Sequence, residues 1–208
     1  MEKTPIAVLI SGRGSNMIAL HEAMRKQSMH AEIACVISSS ASAEGLQYAR
    51  ENSMPAISYK PELWRDDQQV TDAILHTFSE YHVQLVVLAG FLKKIPEAVV
   101  QAFPNRIVNI HPALLPAFGG KGMYGRHVHQ AVLDYGCKVS GATVHFVAVD
   151  YDTGPPILQE CVPVKADDTA ESLAARILQL EHRLLPKCVD LLTRGKVQIE
   201  GRTTRVLE

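Results

Sequence analysis

An amide and an imidazole stand two residues apart, Asn109 and His111, in the run I-V-N-I-H-P-A-L-L-P-A-F over 107–118. On a strand, a spacing of two puts both side chains on one face. Ile107, Val108 and Ile110 are β-branched, as a short buried strand favours. Pro112 ends the pairing, because it has no N–H to donate. The polar pair therefore falls at the carboxyl end of a strand expected near the centre of a sheet, where open α/β sheets bind ligands. An amide N–H can hold a carbonyl oxygen as it becomes an oxyanion, and an imidazole can move a proton near neutral pH. That chemistry is acyl transfer. For a single N-x-H, a strand-end histidine beside a turn-forming asparagine is the commoner explanation.

Other stretches add to the pair. The turn S-G-R-G-S-N at 11–16 follows the first apolar run. It begins like a dinucleotide fingerprint but lacks the third glycine, and Ser38-Ser39-Ser40 stands where a ribose-binding acid is expected, which argues against NAD. Free N–H groups at a helix N-terminus still make a phosphate cradle, with Gly14, Ser15 and Asn16 as the donors. Asp150 and Asp152 frame Tyr151 just before a Gly-Pro turn. A purely structural Asx turn accounts well for Asp150. A carboxylate beside an imidazole favours the imidazolium, so an acid next to His111 should raise its pKa. His127, His129 and His145 have no acid or further histidine at ligand spacing, so no metal is expected. His145 reads either as a support for the site or as a hydrogen-bonded core histidine. His21, His30, His76 and His82 read as surface residues. Glu181, in a long helix, reads by itself as part of a solvated face.

The order S-G-R-G-S-N, N-I-H-P-A-L-L-P at 109–116 and D-T-G-P-P-I-L-Q at 152–159 resembles the folate-dependent formyltransferases, most closely their glycinamide ribonucleotide branch. The resemblance runs from the first strand to E-H-R-L-L-P at 181–186. It implies transfer of the formyl group of 10-formyltetrahydrofolate, a co-substrate, to the amine of glycinamide ribonucleotide in purine synthesis, with no metal. It makes Asn109, His111 and Asp152 catalytic. It gives the substrate phosphate to Gly14, Ser15 and Asn16, and the ribose to Glu181. Residues 89–95 resemble the pterin-binding segment, with backbone groups of Leu92 and Ile95 on the pterin edge and Lys93 and Lys94 supplying positive charge. Ala148, Val149, Asp150, Tyr151, Asp152 and Asn109 would also meet the folate, and Arg65 its tail. The chain departs from the family at Val149 and Leu178, where relatives are polar, and at 93–94, where relatives have an arginine and then an apolar residue. The loop 118–126, F-G-G-K-G-M-Y-G-R, is longer and richer in glycine than in relatives, and reads as a mobile flap or a tolerated surface insertion. Within the family, methionyl-tRNA formyltransferases add a C-terminal domain and basic surface, and formyltetrahydrofolate hydrolases an N-terminal regulatory domain. Neither is expected here. A non-catalytic nucleotide-binding module is the rival from another class.

The elements that must position these residues alternate. Strands are expected at 6–10, 32–38, 83–89 and 107–111, with a short edge strand at 55–59. Helices are expected from 16 to about 26, over 42–52 and 66–81, and after Pro96. That alternation means right-handed crossovers and a mostly parallel sheet. In the second half, a helix over 127–135 precedes strands at 142–149 and 157–164, whose short link makes them antiparallel. A helix over 169–194 should be kinked or divided by Pro186, and 197–199 with 204–207 suggest a terminal hairpin. The fold class is α/β: a Rossmann-like, mostly parallel central sheet with helices on both faces, and an antiparallel strand pair in the C-terminal half. One domain over 1–208 is expected.

Lys+Arg number 21 and Asp+Glu 22, which lends no support to a nucleic-acid or polybasic membrane role. The four cysteines form no C-x-x-C, and Cys35 and Cys161 lie in apolar runs that suggest buried thiols. The first apolar run is too short for a signal peptide, and no run nears the ~18 apolar residues of a membrane span. A cytoplasmic protein with small-molecule partners is expected, and a homodimer stays open.

Overall fold

The computed structural model describes residues 3–207. Seven strands form one sheet in the order β3-β2-β1-β4-β5-β6-β7, and two more form a separate ribbon. The chain divides into two compact units, before and after the Val108–Asn109 bond.

In the first unit, β1 (Thr4–Ile10) runs parallel to β2 (Ala31–Ser38) on one side and to β4 (Leu85–Leu88) on the other. The edge strand β3 (Ala56–Ser58) runs parallel to β2. Ile6 to Ile10 are completely buried, as expected of a parallel strand covered on both faces. Around these strands lie α1 (Ser15–Lys26), α2 (Glu44–Glu51), α3 (Asp67–Glu80) and α4 (Glu97–Ala102). Asp66 caps α3, its side chain accepting from the N–H groups of Gln68 and Gln69 at 3.0 Å. Val70, Ile74 and Phe78 form the buried stripe of α3. Each such side chain contributes roughly 1.5–3 kcal/mol on burial.

The strand β5 (Ile107–His111) ends in the second unit, which also holds α5 (Arg126–Asp134), β6 (Val139–Phe146), β7 (Pro156–Pro163) and α6 (Ala170–Thr193). β6 and β7 are antiparallel, with a register shift between Val144 and His145. Such a bulge re-aims the side chain beside it. β6 begins three residues earlier than the apolar pattern suggested and stops at Phe146 rather than at 149. It stops where the chain folds back, Phe146 N–H donating to Pro155 O. The backbone of Gly154 lies so close to Phe146 O that any Cβ there would collide with it. The ribbon of β8 (Val197–Glu200) and β9 (Thr203–Val206) confirms the terminal hairpin.

Two further readings are narrowed or corrected: the division of the last long helix, one of the two alternatives offered for Pro186, and the burial of Cys161. α6 is one helix and Pro186 does not divide it. The ring removes one rung of the hydrogen-bond ladder, but Pro186 lies on the buried face beside Leu184 and Leu185, where packing holds the helix together. Cys161 is exposed, because β7 is an edge strand and its apolar run is not a core run. Cys35 is buried, and burial pushes its thiol up to about 12. No helix among the described residues is long and apolar enough to cross a membrane.

Candidate active site

In the second unit, two strand ends and one turn bring Asn109, His111, His145 and Asp152 together. Asn109 and His111 close β5, half-buried and buried respectively. His145 sits at the bulge of β6 and is 2% exposed. Asp152 lies in the turn before β7, at φ +55, a left-handed conformation that aspartate tolerates better than bulkier residues.

Asp152 stands between two imidazoles. Its Oδ2 is 3.7 Å from His111 Nδ1, and its Oδ1 is 3.5 Å from His145 Nε2. Gly120 N–H donates to Oδ2 at 2.8 Å, from a backbone conformation with φ +97 that suits glycine. Each imidazole has its other nitrogen on a backbone carbonyl. His111 Nε2–H donates to Phe118 O at 2.8 Å, and His145 Nδ1–H donates to Phe146 O at 2.8 Å. A carbonyl only accepts, so both tautomers are fixed. His145 Nε2 also lies 3.1 Å from Asn109 Nδ2. The amide nitrogen of Asn109 keeps a second N–H for another acceptor.

The electrostatics agree with one expectation in direction but not in net result. Burial lowers the pKa of His111. The Asp152 carboxylate and the Phe118 carbonyl raise it, and His145 lowers it further, so that the result lies below the ordinary value. The neighbouring acid acts in the expected direction, but desolvation outweighs it. For Asp152, burial works against the charge. The His145 ring, His111 and the Gly120 N–H act against burial, in that order, and the carboxyl ends below its usual range. The site thus sets a carboxylate held below its usual range beside a His111 whose charged form burial disfavours. His129, expected at a loop-helix junction, is buried in α5, with burial first and His111 second in lowering its pKa.

The remaining candidates fall in both units. In the first unit, Gly14 takes φ +71 at the N-cap of α1, Ser15 opens that helix and Asn16 is buried. Leu92, Lys93 and Lys94 are exposed and Ile95 is buried. Arg65 is exposed at the end of a short 3-10 turn. Trp64, next to it, packs on Phe91 with ring centroids 5.4 Å apart. In the second unit, Ala148 and Val149 are half-buried, and Asp150 and Tyr151 are exposed. Glu181 is buried on α6, so it is no solvated face. Reading the sequence missed the Phe118 carbonyl, because a backbone acceptor carries no side-chain signal. It left His145 ambiguous, because only the bulge shows where the ring points.

A strand-end amide and an imidazole, beside a half-buried carboxylate on an α/β sheet, are groups suited to acid–base and oxyanion chemistry, as in group-transfer enzymes. The chain belongs to the formyl transferase family, whose model matches residues 4–189. It is 43% identical over 195 residues to a chloroplastic phosphoribosylglycinamide formyltransferase of Arabidopsis thaliana, covering 93% of this chain and 66% of that one. It is 34% identical over 195 residues to the phosphoribosylglycinamide formyltransferase of Haemophilus influenzae, covering 94% and 90%. The crystal structure of glycinamide ribonucleotide transformylase 1 from Symbiobacterium toebii superposes with a TM-score of 0.93 at 41% identity, covering 99% of this chain and 95% of that one. The chain thus spans just under two thirds of the plant relative's length and nearly all of the bacterial ones.

Proposed function

We propose that the chain transfers the formyl group of 10-formyltetrahydrofolate to the amine of glycinamide ribonucleotide, giving formylglycinamide ribonucleotide and tetrahydrofolate. The observation that carries this reading is Asp152 set between His111 and His145, with the Asn109 amide alongside. The names of the bacterial relatives support the choice of acceptor. One family match extending through both units supports a single formyltransferase domain over 1–208.

The amine lone pair attacks the formyl carbon, a C–N bond forms, and the carbonyl π pair moves to oxygen. The second N–H of Asn109 and the Nε2–H of His111 are the donors for that oxyanion. The Phe118 carbonyl holds the His111 donor at rest, so the formyl oxygen must take its place. Asp152 faces Nδ1 of the same ring, the position at which a proton makes His111 an imidazolium. The surplus proton of the attacking nitrogen reaches the folate nitrogen as the old C–N bond breaks, through His111 or a water, and no proton is gained or lost overall. Gly14, Ser15 and Asn16 hold the substrate phosphate at the N-terminus of α1. Glu181 accepts from the ribose hydroxyls. Backbone groups of Leu92, Ile95, Ala148, Val149, Asp150 and Tyr151 meet the folate, and Lys93, Lys94 and Arg65 suit the carboxylates of its tail.

Folate absorbance, followed with glycinamide ribonucleotide, initiator methionyl-tRNA or water as acceptor, tests the reading. Product should form only with the ribonucleotide. Formate released at the same rate without it would establish a hydrolase instead.

A further inference from the structure

Ser11, at the end of β1, has no part in the roles above, yet it joins three chain segments of the first unit. Its N–H donates to Gly90 O at 3.2 Å, and its hydroxyl oxygen accepts from Leu92 N–H at 2.8 Å. The same hydroxyl is 2.7 Å from Ser39 Oγ, and Ser39 N–H donates to Ile10 O at 3.2 Å. A hydroxyl has one proton and two lone pairs. Leu92 N–H takes a lone pair, and a second valence meets Ser39. Ser11 is followed directly by Gly12, which opens the glycine turn, and its two bonds to Gly90 and Leu92 grip the segment 90–95. In that segment Phe91 packs on Trp64 and Ile95 is buried, while the Leu92 side chain between them is 57% exposed.

We propose that Ser11 is a positioning residue that couples the phosphate turn to the folate segment, so that a ribonucleotide held at 14–16 favours the folate-binding form of 90–95. The proposal rests on the reading of these two loops given above. A phosphate that fixes the turn also fixes Ser11, and the Leu92–Ser11 bond passes that constraint to the backbone expected to meet the pterin. The exchange is reciprocal by linkage, so folate tightens the ribonucleotide by the same factor. The bond also spends the Leu92 N–H internally, which leaves the carbonyl of that residue for a ligand.

Wild type, Ser11→Ala and Ser11→Thr are compared as full chains. Glycinamide ribonucleotide and tetrahydrofolate are titrated singly and together by calorimetry, and hydrogen exchange is followed at the Leu92 amide. Each ligand should tighten the other in the wild type by about 5-fold or more, the lower range of coupling between sites. In Ser11→Ala that factor should fall to about 1, with ribonucleotide affinity alone within about 2-fold of wild type. Ser11→Thr, which keeps the hydroxyl, should restore it. The Leu92 amide should exchange faster in the alanine variant, and the emission of Trp64, the one tryptophan of the chain, should report the altered contact with Phe91. Coupling that is absent in the wild type, or unchanged in Ser11→Ala, overturns the proposal. So does a Leu92 amide that exchanges equally fast in both. A wild type that binds both ligands and shows coupling but transfers no formyl group would overturn the functional reading instead, leaving the tether standing.

Discussion

Asp152 answers to two imidazoles and one backbone N–H through two oxygens, so its charge sets the state of the whole cluster. Replacing it with asparagine keeps the shape and removes the one charge that raises the pKa of His111, which burial already holds down. His111 in Asp152→Asn should titrate lower still, as read by its imidazole NMR shifts. Formyl transfer should fall in kcat by roughly 10²-fold or more, the scale of acid–base catalysis, with much smaller changes in KM. His111→Ala should lose a similar amount, and the double variant far less than the product of the two losses, because coupled residues are not additive. Asp150 is exposed, and its backbone carbonyl accepts from Thr153, so Asp150→Asn should stay close to wild type. Activity lost in Asp150→Asn but kept in Asp152→Asn would reverse the assignment within D-Y-D. The identities of Asn109, His111 and Asp152 were legible as chemistry and by resemblance. The direction of the His111 shift was not, because a neighbouring acid can be read along the chain and desolvation cannot.

Among the elements, periodicity marks those with their own apolar pattern. β1, β4 and β5 are apolar runs bounded by Gly or Pro, and α3 and α6 carry long apolar stripes with caps at Asp66 and Thr169. Errors fell where tertiary context overrides pattern. Val139, Ser140 and Gly141 have no strand-like run of their own and join β6 through pairing with β7. Pro186 is retained by burial on α6. The loop 118–126 shows the same limit. Its length suggested a flap, but its structural hold comes from backbone atoms, Phe118 O on His111 and Gly120 N–H on Asp152. The Phe118 ring also packs on Tyr135, which follows the last residue of α5, with centroids 6.1 Å apart. Shortening the loop by deleting residues 121–124 should leave the fold intact, as judged by circular dichroism, and raise KM for one of the two substrates. Unchanged kinetics would reduce the segment to a surface insertion.

At the scale of the whole molecule, the buried histidines tie stability to pH. His111 and His129 both have pKa values held below the ordinary value, burial being the first cause for each. A histidine in the unfolded chain titrates near 6.5, so below that pH the unfolded state binds more protons than the folded one. Stability should therefore be flat above about pH 7 and fall as the pH drops through ~6.5 toward the folded values, because its slope follows the protons bound by the unfolded state minus those bound by the folded state. The carboxyls of Asp152 and Asp168 are held below their usual range. Their contribution is present above their unfolded pKa and is lost at more acid pH, as each folded carboxyl protonates. Two separate windows follow, and a variant can separate them. His129 Nδ1 is buried with no hydrogen-bond partner, so His129→Leu removes a desolvated polar atom along with the titration. Exchanging such an atom for apolar bulk is close to neutral or stabilising when the shape is kept. The urea midpoint of His129→Leu should equal or exceed that of the wild type at pH 7.5. Between pH 7 and 5 its midpoint should fall less steeply, while the loss below pH 4 stays as in the wild type. Equal slopes in the two proteins between pH 7 and 5 would mean that His129 is not among the groups that burial keeps neutral.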